Sequence, residues 1–145
     1  MKVRMMKDDD FEKVLDVTQE FNNQSPYSMP FNRKDASASL VNLQKTAIVA
    51  EDKGEIVGVL LLAITPVFWN YSQKQGTELC FYVHPDYRKG SLGKQLIAKM
   101  EMLGQLHGLS VVAMASISSS KDKVFERYYG RLGYKKMEIT YVKEI

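Results

Sequence analysis

The stretch from Gly76 to Leu96, GTELCFYVHPDYRKGSLGKQL, constrains the fold more than any other part of the sequence. Its first half alternates its side chains with a period of two, which is typical of a β-strand. Pro85 ends that strand, because proline has no N–H to donate to a neighbouring strand. The second half changes to a helical period, with an apolar stripe formed by Leu92, Leu96, Met100 and Leu103. The sequence therefore predicts a strand, a short basic loop and a helix in succession.

The loop between that strand and that helix, Arg88 to Lys94, has the features of an anion-binding site. The first N–H groups of a helix lack internal partners, and the helix dipole adds about half a positive charge there. Gly90 and Gly93 let the backbone approach a ligand closely, so a phosphate or diphosphate is the expected guest. The loop matches neither the Walker pattern G-x-x-x-x-G-K-[ST] nor G-x-G-x-x-G. Nucleotide binding by those two routes is not expected.

These residues resemble motif A of the GNAT superfamily of N-acetyltransferases, in which [Q/R]-x-x-G-x-[G/A] follows a V-x-P-x-Y strand end. The segment from Val83 to Tyr87 matches the strand end, and Arg88 and Gly93 match the flanking positions of the loop. Ser91 stands where the family usually has its first glycine. A second match is the heptapeptide YYGRLGY at 128–134, which is similar to the F-Y-x-x-L-G-F close of the family. The resemblance covers nearly the whole chain.

Composition sets the broad class of the protein. A chain of 145 residues is expected to form a single domain over 1–145 with its own core. The net charge of +3 is slight, so neither nucleic acid nor a membrane surface is an expected partner. No apolar run approaches the ~18 residues of a membrane-spanning helix, and no signal-like segment opens the sequence. The lone Cys80 favours a reducing, cytoplasmic location, and one cysteine with two histidines gives no metal site.

Hydrophobic periodicity predicts the remaining elements in chain order. They are a strand over 2–6, a helix ending near 22, a helix from about 33 to 45, strands over 46–50 and 56–65, an aromatic loop over 66–75, a strand over 109–115, a last helix ending near 132, and a closing strand over 134–143. The strand over 56–65 is apolar on both faces and should be central. The order βααβββαβαβ is that of the GNAT fold. This resemblance implies an α/β fold with a mixed six- to seven-stranded sheet and about four helices.

The resemblance also implies a cosubstrate, acetyl-CoA, and no metal. Backbone groups of Phe81, Tyr82 and Val83 would pair with its pantetheine arm like an added strand. The loop would hold the diphosphate through seven residues: Arg88, Lys89, Gly90, Ser91, Leu92, Gly93 and Lys94. Transfer of the acetyl group to an amine would then take place in a ternary complex.

Two residues are candidates for proton transfer. An unperturbed lysine-type amine has a pKa of ~10.4, so a base must remove its proton at neutral pH. Glu78, in an E-x-x-F context that resembles the histone-type members, is the candidate base; the alternative is a solvated or lysine-paired strand residue. Tyr129 matches the family tyrosine that acts as general acid near the coenzyme sulfur; the alternative is a core aromatic with Phe125. A catalytic thiol is not expected, because Cys80 has no base beside it in sequence.

Aromatic residues in two loops are candidates for the acceptor site, which these loops flank in the family: Tyr27, Phe31, Phe68, Trp69 and Tyr71. They either line a groove or pack over the open edge of the sheet, and the sequence leaves both open. The acceptor itself is a small-molecule amine or a protein amine, and the protein is a monomer or a homodimer. Two rival functions remain: a coenzyme A-binding regulatory module without transfer, and transfer of a longer acyl chain in the room beside Tyr82 and Met114.

Overall fold

The computed structural model describes residues 1–26, 29–117 and 121–145, which form two compact units, 1–114 and 115–145. The first unit contains β1 (Lys2–Met5), α1 (Phe11–Gln24), α2 (Arg33–Leu43), β2 (Ala47–Asp52), β3 (Glu55–Val67), β4 (Asn70–Val83), α3 (Leu92–Leu106) and β5 (Val111–Ala113). The described part of the second unit contains α4 (Asp122–Arg131). Short 3-10 turns occupy 8–10, 44–46 and 85–87. This arrangement confirms the predicted α/β class and the order of its elements up to α4.

The sheet of the first unit has the spatial order β1-β2-β3-β4-β5. Neighbours from β1 to β4 are antiparallel, whereas β4 and β5 are parallel and flank α3 in the sequence. The prediction of a central strand is confirmed, because β3 lies in the middle and is buried from Ile56 to Leu62. A strand that is apolar on both faces is shielded from water only when other secondary-structure elements pack against each face of the sheet.

Helices cover both faces of this sheet. On one face, Val59 and Leu61 of β3 share a buried cluster with Leu15 of α1 and Leu40 of α2. On the other face, a Cβ built on Gly58 would lie 3.0 Å from Leu96 Cδ1 of α3. Because successive residues of a strand face opposite sides, α1 and α2 lie on one side of β3 and α3 on the other.

The turn between β2 and β3 fits its sequence. Asp52 pairs with Glu55, so the connection has two residues, Lys53 and Gly54. Both have positive φ, 51° and 85°, as in the two-residue turns that match the twist of a hairpin. The hairpin predicted from the polar segment with its glycine is confirmed.

The predicted closing strand over 134–143 is wrong. After α4 the Tyr134 amide donates to the Tyr129 carbonyl, and none of the described residues beyond it forms a strand. The alternating side chains Met137, Ile139 and Tyr141 are exposed. Alternation indicates an extended backbone, but a strand also needs a neighbouring strand to receive its N–H and C=O groups. The sheet therefore has five strands among the described residues, fewer than the six to seven expected.

The predicted aromatic loop over 66–75 is also wrong. β3 continues to Val67 and β4 starts at Asn70, so only Phe68 and Trp69 remain between them. Thr65 pairs with Gln75 and Pro66 with Lys74, next to an irregularity in the register. A proline is tolerated beside such an irregularity, where its missing N–H is not required by the ladder. Cross-strand pairing thus extends the hairpin through residues that look like breakers in sequence.

Candidate functional site

The segment between β4 and α3 presents unpartnered backbone donors. The amides of Tyr87 and Arg88 donate to His84 and Pro85 carbonyls at 2.9 and 3.2 Å, closing the 3-10 turn. Beyond that turn, within the described part of the chain, no acceptor meets the N–H groups of Lys89, Ser91, Leu92, Gly93 and Lys94. They lie at the start of α3, where the dipole of a fifteen-residue helix favours an anion.

Ser91, which replaces the usual first glycine of the motif, fits this loop without strain. Its φ is −89°, a value that any residue adopts, so a glycine is not required there. Its hydroxyl makes no capping bond to the helix and instead accepts from Gln95 Nε2 at 2.9 Å. Gly90 is open, since a Cβ there would have the Tyr87 carbonyl oxygen at 3.9 Å as its nearest neighbour. The departure from the motif therefore leaves the loop accessible.

Arg88 ties the loop to its surroundings. Its Nε donates to the Val83 carbonyl at 2.7 Å, and its Nη2 donates to Gln24 Oε1 at 3.2 Å. Its guanidinium carbon lies 5.5 Å from the centre of the Tyr82 ring, within the range of a cation–π contact. These contacts hold the end of β4 and the C-terminal turn of α1 together beneath the loop. The exposed Arg88 side chain therefore anchors the start of the loop to β4 and α1.

The outer edge of β4 is open next to this loop. β5 pairs with β4 only over Gln75–Thr77, so in the described structure no strand pairs with that edge from Glu78 onward. On the other edge, the His84 amide donates to the Val57 carbonyl at 2.9 Å. Antiparallel hydrogen bonding alternates along a strand, so the backbone N–H and C=O of Tyr82 also point toward β3. The backbone groups of Phe81 and Val83 point away from β3. An extended ligand could bind there as an added strand.

A β-bulge interrupts β4 at the inner end of the open edge. Cys80 pairs with Leu61 but Glu78 pairs with Leu62, so Leu79 is an extra residue on this strand. Bulges re-aim side chains and are common beside active sites. Here Leu79 is half exposed and lines the same cavity as Cys80, and the half-buried Glu78 directly precedes it.

That cavity lies between α1, α2 and the sheet and has a volume of about 300 Å³. Leucines dominate its walls, together with two phenylalanines: Leu15, Leu40, Leu43, Leu61, Leu79, Phe21 and Phe31. The polar side chains in its lining are Thr18, Asn22 and Ser39, all uncharged. The Thr18 hydroxyl donates to the Val14 carbonyl at 2.7 Å. The described lining therefore offers apolar surface and no fixed charge.

The predicted acceptor aromatics separate into different environments. Phe31 lines the cavity, whereas Phe68, Trp69 and Tyr71 are 82%, 85% and 76% exposed around the β3–β4 turn. None of these three is among the residues that line that cavity, and their role in acceptor binding stays a prediction. Tyr27 lies outside the described residues.

Tyr129 lies on α4 in the second unit. Its hydroxyl donates to the Ala115 carbonyl at 3.1 Å, and its ring is stacked with Phe125 at 6.5 Å between centroids. The ring centroids of Tyr128 and Tyr134 lie 5.6 and 5.8 Å from the ring centroid of Tyr129. The aromatic contact with Phe125 expected from sequence is thus present, and it leaves the catalytic interpretation of Tyr129 as a prediction.

Cys80 is unsuited to nucleophilic catalysis. It is buried, and that burial raises the pKa of its thiol well above the ordinary value, with the charge of Glu78 adding to the rise. A thiol kept protonated is a poor nucleophile. Across the described residues there is also no group of three potential metal ligands, and no helix there is long and apolar enough to span a bilayer.

Sequence reasoning missed a polar network behind the loop. The buried Tyr82 donates its hydroxyl to Glu20 Oε1 at 2.8 Å, and Gln24 Nε2 donates to the same oxygen at 3.0 Å. Tyr82 and Glu20 are far apart in sequence, and neither belongs to a motif that would pair them. The periodicity of α1 gives no signal for this contact. The bulge at Leu79 was likewise invisible in the alternation of β4.

Comparisons with known proteins show what this chain is similar to in sequence and in fold. A family model described as Acetyltransferase (GNAT) family matches residues 8–134. An acetyltransferase of Sodalis glossinidius is 29% identical over 70% of this chain, which spans about 65% of that relative's length. An aminoglycoside acetyltransferase from an uncultured soil metagenomic sample has a similar structure, with a TM-score of 0.77, 19% identity and coverage of 99% and 97%. A Clostridium acetobutylicum protein described as a predicted acetyltransferase with acetyl-CoA gives a TM-score of 0.78 at 11% identity, covering 99% and 95%.

Proposed function

The chain belongs to the GNAT family of acetyltransferases, and on that premise we propose that it transfers an acetyl group from acetyl-CoA to a primary amine. The observation that carries the proposal is the group of unpartnered N–H donors at Lys89 and at Ser91 to Lys94, beside the open edge of β4. An anionic diphosphate satisfies such donors, and the adjoining edge suits an extended arm.

Different residues of this chain bind the diphosphate and the pantetheine arm of acetyl-CoA. The loop amides hold the diphosphate, and the side chains of Lys89 and Lys94 add positive charge around it. Phe81 bonds the arm through its N–H and C=O, and Val83 bonds it through its N–H, since the Val83 carbonyl already accepts from Arg88 Nε. Tyr82 supports this edge through its side chain, because its own N–H and C=O face β3.

Transfer proceeds by direct attack of the amine on the thioester that the coenzyme supplies. Glu78 takes a proton from the amine, directly or through water, so that the nitrogen lone pair can form the new C–N bond. A backbone N–H on the open edge of β4 stabilises the negative charge that develops on the carbonyl oxygen. As the C–S bond breaks, Tyr129 gives its proton to the leaving thiolate. Each proton lost by the amine is thus matched by one gained at sulfur.

Glu78→Gln tests the base. We expect kcat/KM for acetyl transfer at pH 7 to fall by roughly 10²- to 10⁴-fold, with a smaller loss at high pH, where the amine is already neutral. Free thiol release across a panel of amines measures this. Glu138→Gln, an exposed glutamate outside the proposed site, is the matched control and should behave like the wild type. A pH profile parallel to that of the wild type would remove Glu78 from the role.

Tyr129→Phe tests the acid. We expect slower turnover with nearly unchanged affinity for acetyl-CoA, because the phenol acts only on the leaving group. Tyr141→Phe, an exposed tyrosine, is the control. Normal turnover with weakened binding would reject the assignment. If the wild type binds acetyl-CoA tightly yet releases no thiol with any amine class, the protein is instead a coenzyme-binding module.

A further inference from the structure

We propose that the acceptor carries its amine on an apolar alkyl or aryl group, and that this group occupies the cavity between α1, α2 and β4. The inference rests on the proposed function, which it narrows to a substrate class. The observations behind it are the composition of the cavity walls, the position of the cavity beside the bulge, and its volume.

The walls favour an apolar occupant. Burial of apolar surface is the main attraction that leucine and phenylalanine side chains offer a ligand. The polar side chains are neutral, and the Thr18 hydroxyl is already bonded to the Val14 carbonyl. A cation placed here would lose its water without gaining a carboxylate, which is costly. The described lining therefore disfavours polycations, the class to which aminoglycosides belong.

The position of the cavity connects it to the proposed chemistry. Leu79 and Cys80 form the part of its wall that belongs to β4. Glu78, the proposed base, directly precedes Leu79, and the open edge of β4 begins at the same bulge. An amine that attacks a thioester bound along this open edge can therefore direct its carbon substituent along Leu79 into the cavity. Its volume of about 300 Å³ is at the lower end of the range for small-molecule sites, which suits one compact alkyl or aryl group.

The experiment is a chain-length series. With acetyl-CoA fixed, kcat/KM is measured for n-alkylamines from ethylamine to octylamine, for benzylamine, and for spermidine and an aminoglycoside as polycations. We expect a rise of about fourfold per methylene, the gain from burying one methylene, until the cavity is full. Spermidine and the aminoglycoside should be poor acceptors. A second series with acetyl-, butyryl- and hexanoyl-CoA and one amine tests whether the cavity holds the acyl chain instead.

Two variants localise the effect. Leu79→Gln replaces a half-exposed wall residue and should lower the hexylamine-to-ethylamine ratio of kcat/KM by about tenfold. Ser39→Phe, at an exposed helix position on the rim, should narrow the cavity and slow hexylamine but not ethylamine. Leu106→Gln, at a leucine that is exposed on α3, is the control and should leave the ratio unchanged. The Ser39 variant keeps the test valid if the Leu79 variant folds poorly.

The possible results distinguish a failure of the proposed acceptor class from a failure of the proposed acetyltransferase function. A chain-length slope that both variants reduce supports the proposal. Efficient transfer to polycations or hydrophilic amines with no slope overturns it, while the acetyltransferase function stands. A slope that follows the acyl chain rather than the amine also overturns it. If none of the amine classes gives thiol release, the inference and the proposed function are overturned together.

Discussion

Two regions of the first unit lie along β4 and differ in how they can recognise a ligand. The loop at the end of β4 offers main-chain donors flanked by exposed lysines, whereas the cavity beside the bulge offers neutral side chains that are mostly apolar. Main-chain donors need only the backbone path, so a serine at position 91 is accommodated. The cavity depends on the identity of each side chain. We therefore expect coenzyme binding to tolerate substitution better than acceptor choice does.

A polar network lies between these two regions. Tyr82 and Arg88 on the coenzyme side contact Glu20 and Gln24 of α1, and α1 also supplies part of the cavity wall. The two regions thus share one helix. Substitutions in one region, or in the contact between the two, test whether the two regions recognise their ligands independently.

The largest effect is expected from Ser91→Asp. Aspartate is a favourable N-cap residue, so the melting temperature should stay constant or rise. Its carboxylate would face the diphosphate, and a like-charge pair at about 4 Å near a surface costs up to ~4 kcal/mol, so affinity for coenzyme A should fall by up to roughly 1,000-fold. Calorimetry and thermal melting measure the two quantities. Ser91→Ala should change affinity little, and unchanged affinity in the Asp variant would contradict an anion site at this position.

A smaller effect is expected from Gly76→Ala, at the middle of the three residues of β4 that pair with β5. A Cβ there would lie 2.8 Å from Leu109 Cδ1 and 3.0 Å from Leu62 Cδ1, so both leucines must shift. Overpacking of this kind costs about 2 kcal/mol of unfolding free energy. Denaturant unfolding measures it, with Gly90→Ala in open space as the control. Equal unfolding free energies of the two variants would contradict tight packing around Gly76.

The smallest effect is expected from Tyr82→Phe, which removes the hydroxyl bonded to Glu20. Loss of this bond should cost about 1 kcal/mol of unfolding free energy at neutral pH. Burial, and then the bond to Glu20, raises the pKa of Tyr82 above its ordinary value. Its contribution is therefore fully present below about pH 10 and is lost as the pH rises through the raised value. The difference between wild type and variant should be constant from pH 6 to 9 and shrink above pH 10; a difference that grows there would contradict this bond.

Local patterns predicted the parts of the fold that depend on one segment. The apolar run of β3 indicated a central strand, and the succession of strand, glycine-bearing loop and helix indicated the unpartnered donors near Ser91 and Gly93. Each follows from burial or from helix geometry within a few residues. Membership of the family confirms the resemblance carried by the motif.

Features that depend on a partner far away in sequence were not predicted. The closing strand over 134–143 has the right alternation but no neighbouring strand in the described structure. The register of β3 against β4 decides both the extension of the hairpin and the bulge at Leu79. The side chain of Arg88 turns back to Val83 and Gln24, which no local pattern reveals. These residues determine how the site is shaped rather than whether the fold forms.

The central claim is that the amides at the start of α3 hold the diphosphate of coenzyme A. Backbone amide NMR during a titration with coenzyme A tests it most directly. We expect saturable shifts at Lys89 and from Ser91 to Lys94, together with Phe81 and Val83 on the open edge of β4. Binding that leaves these loop amides unmoved, or no binding by well-folded protein, would contradict it.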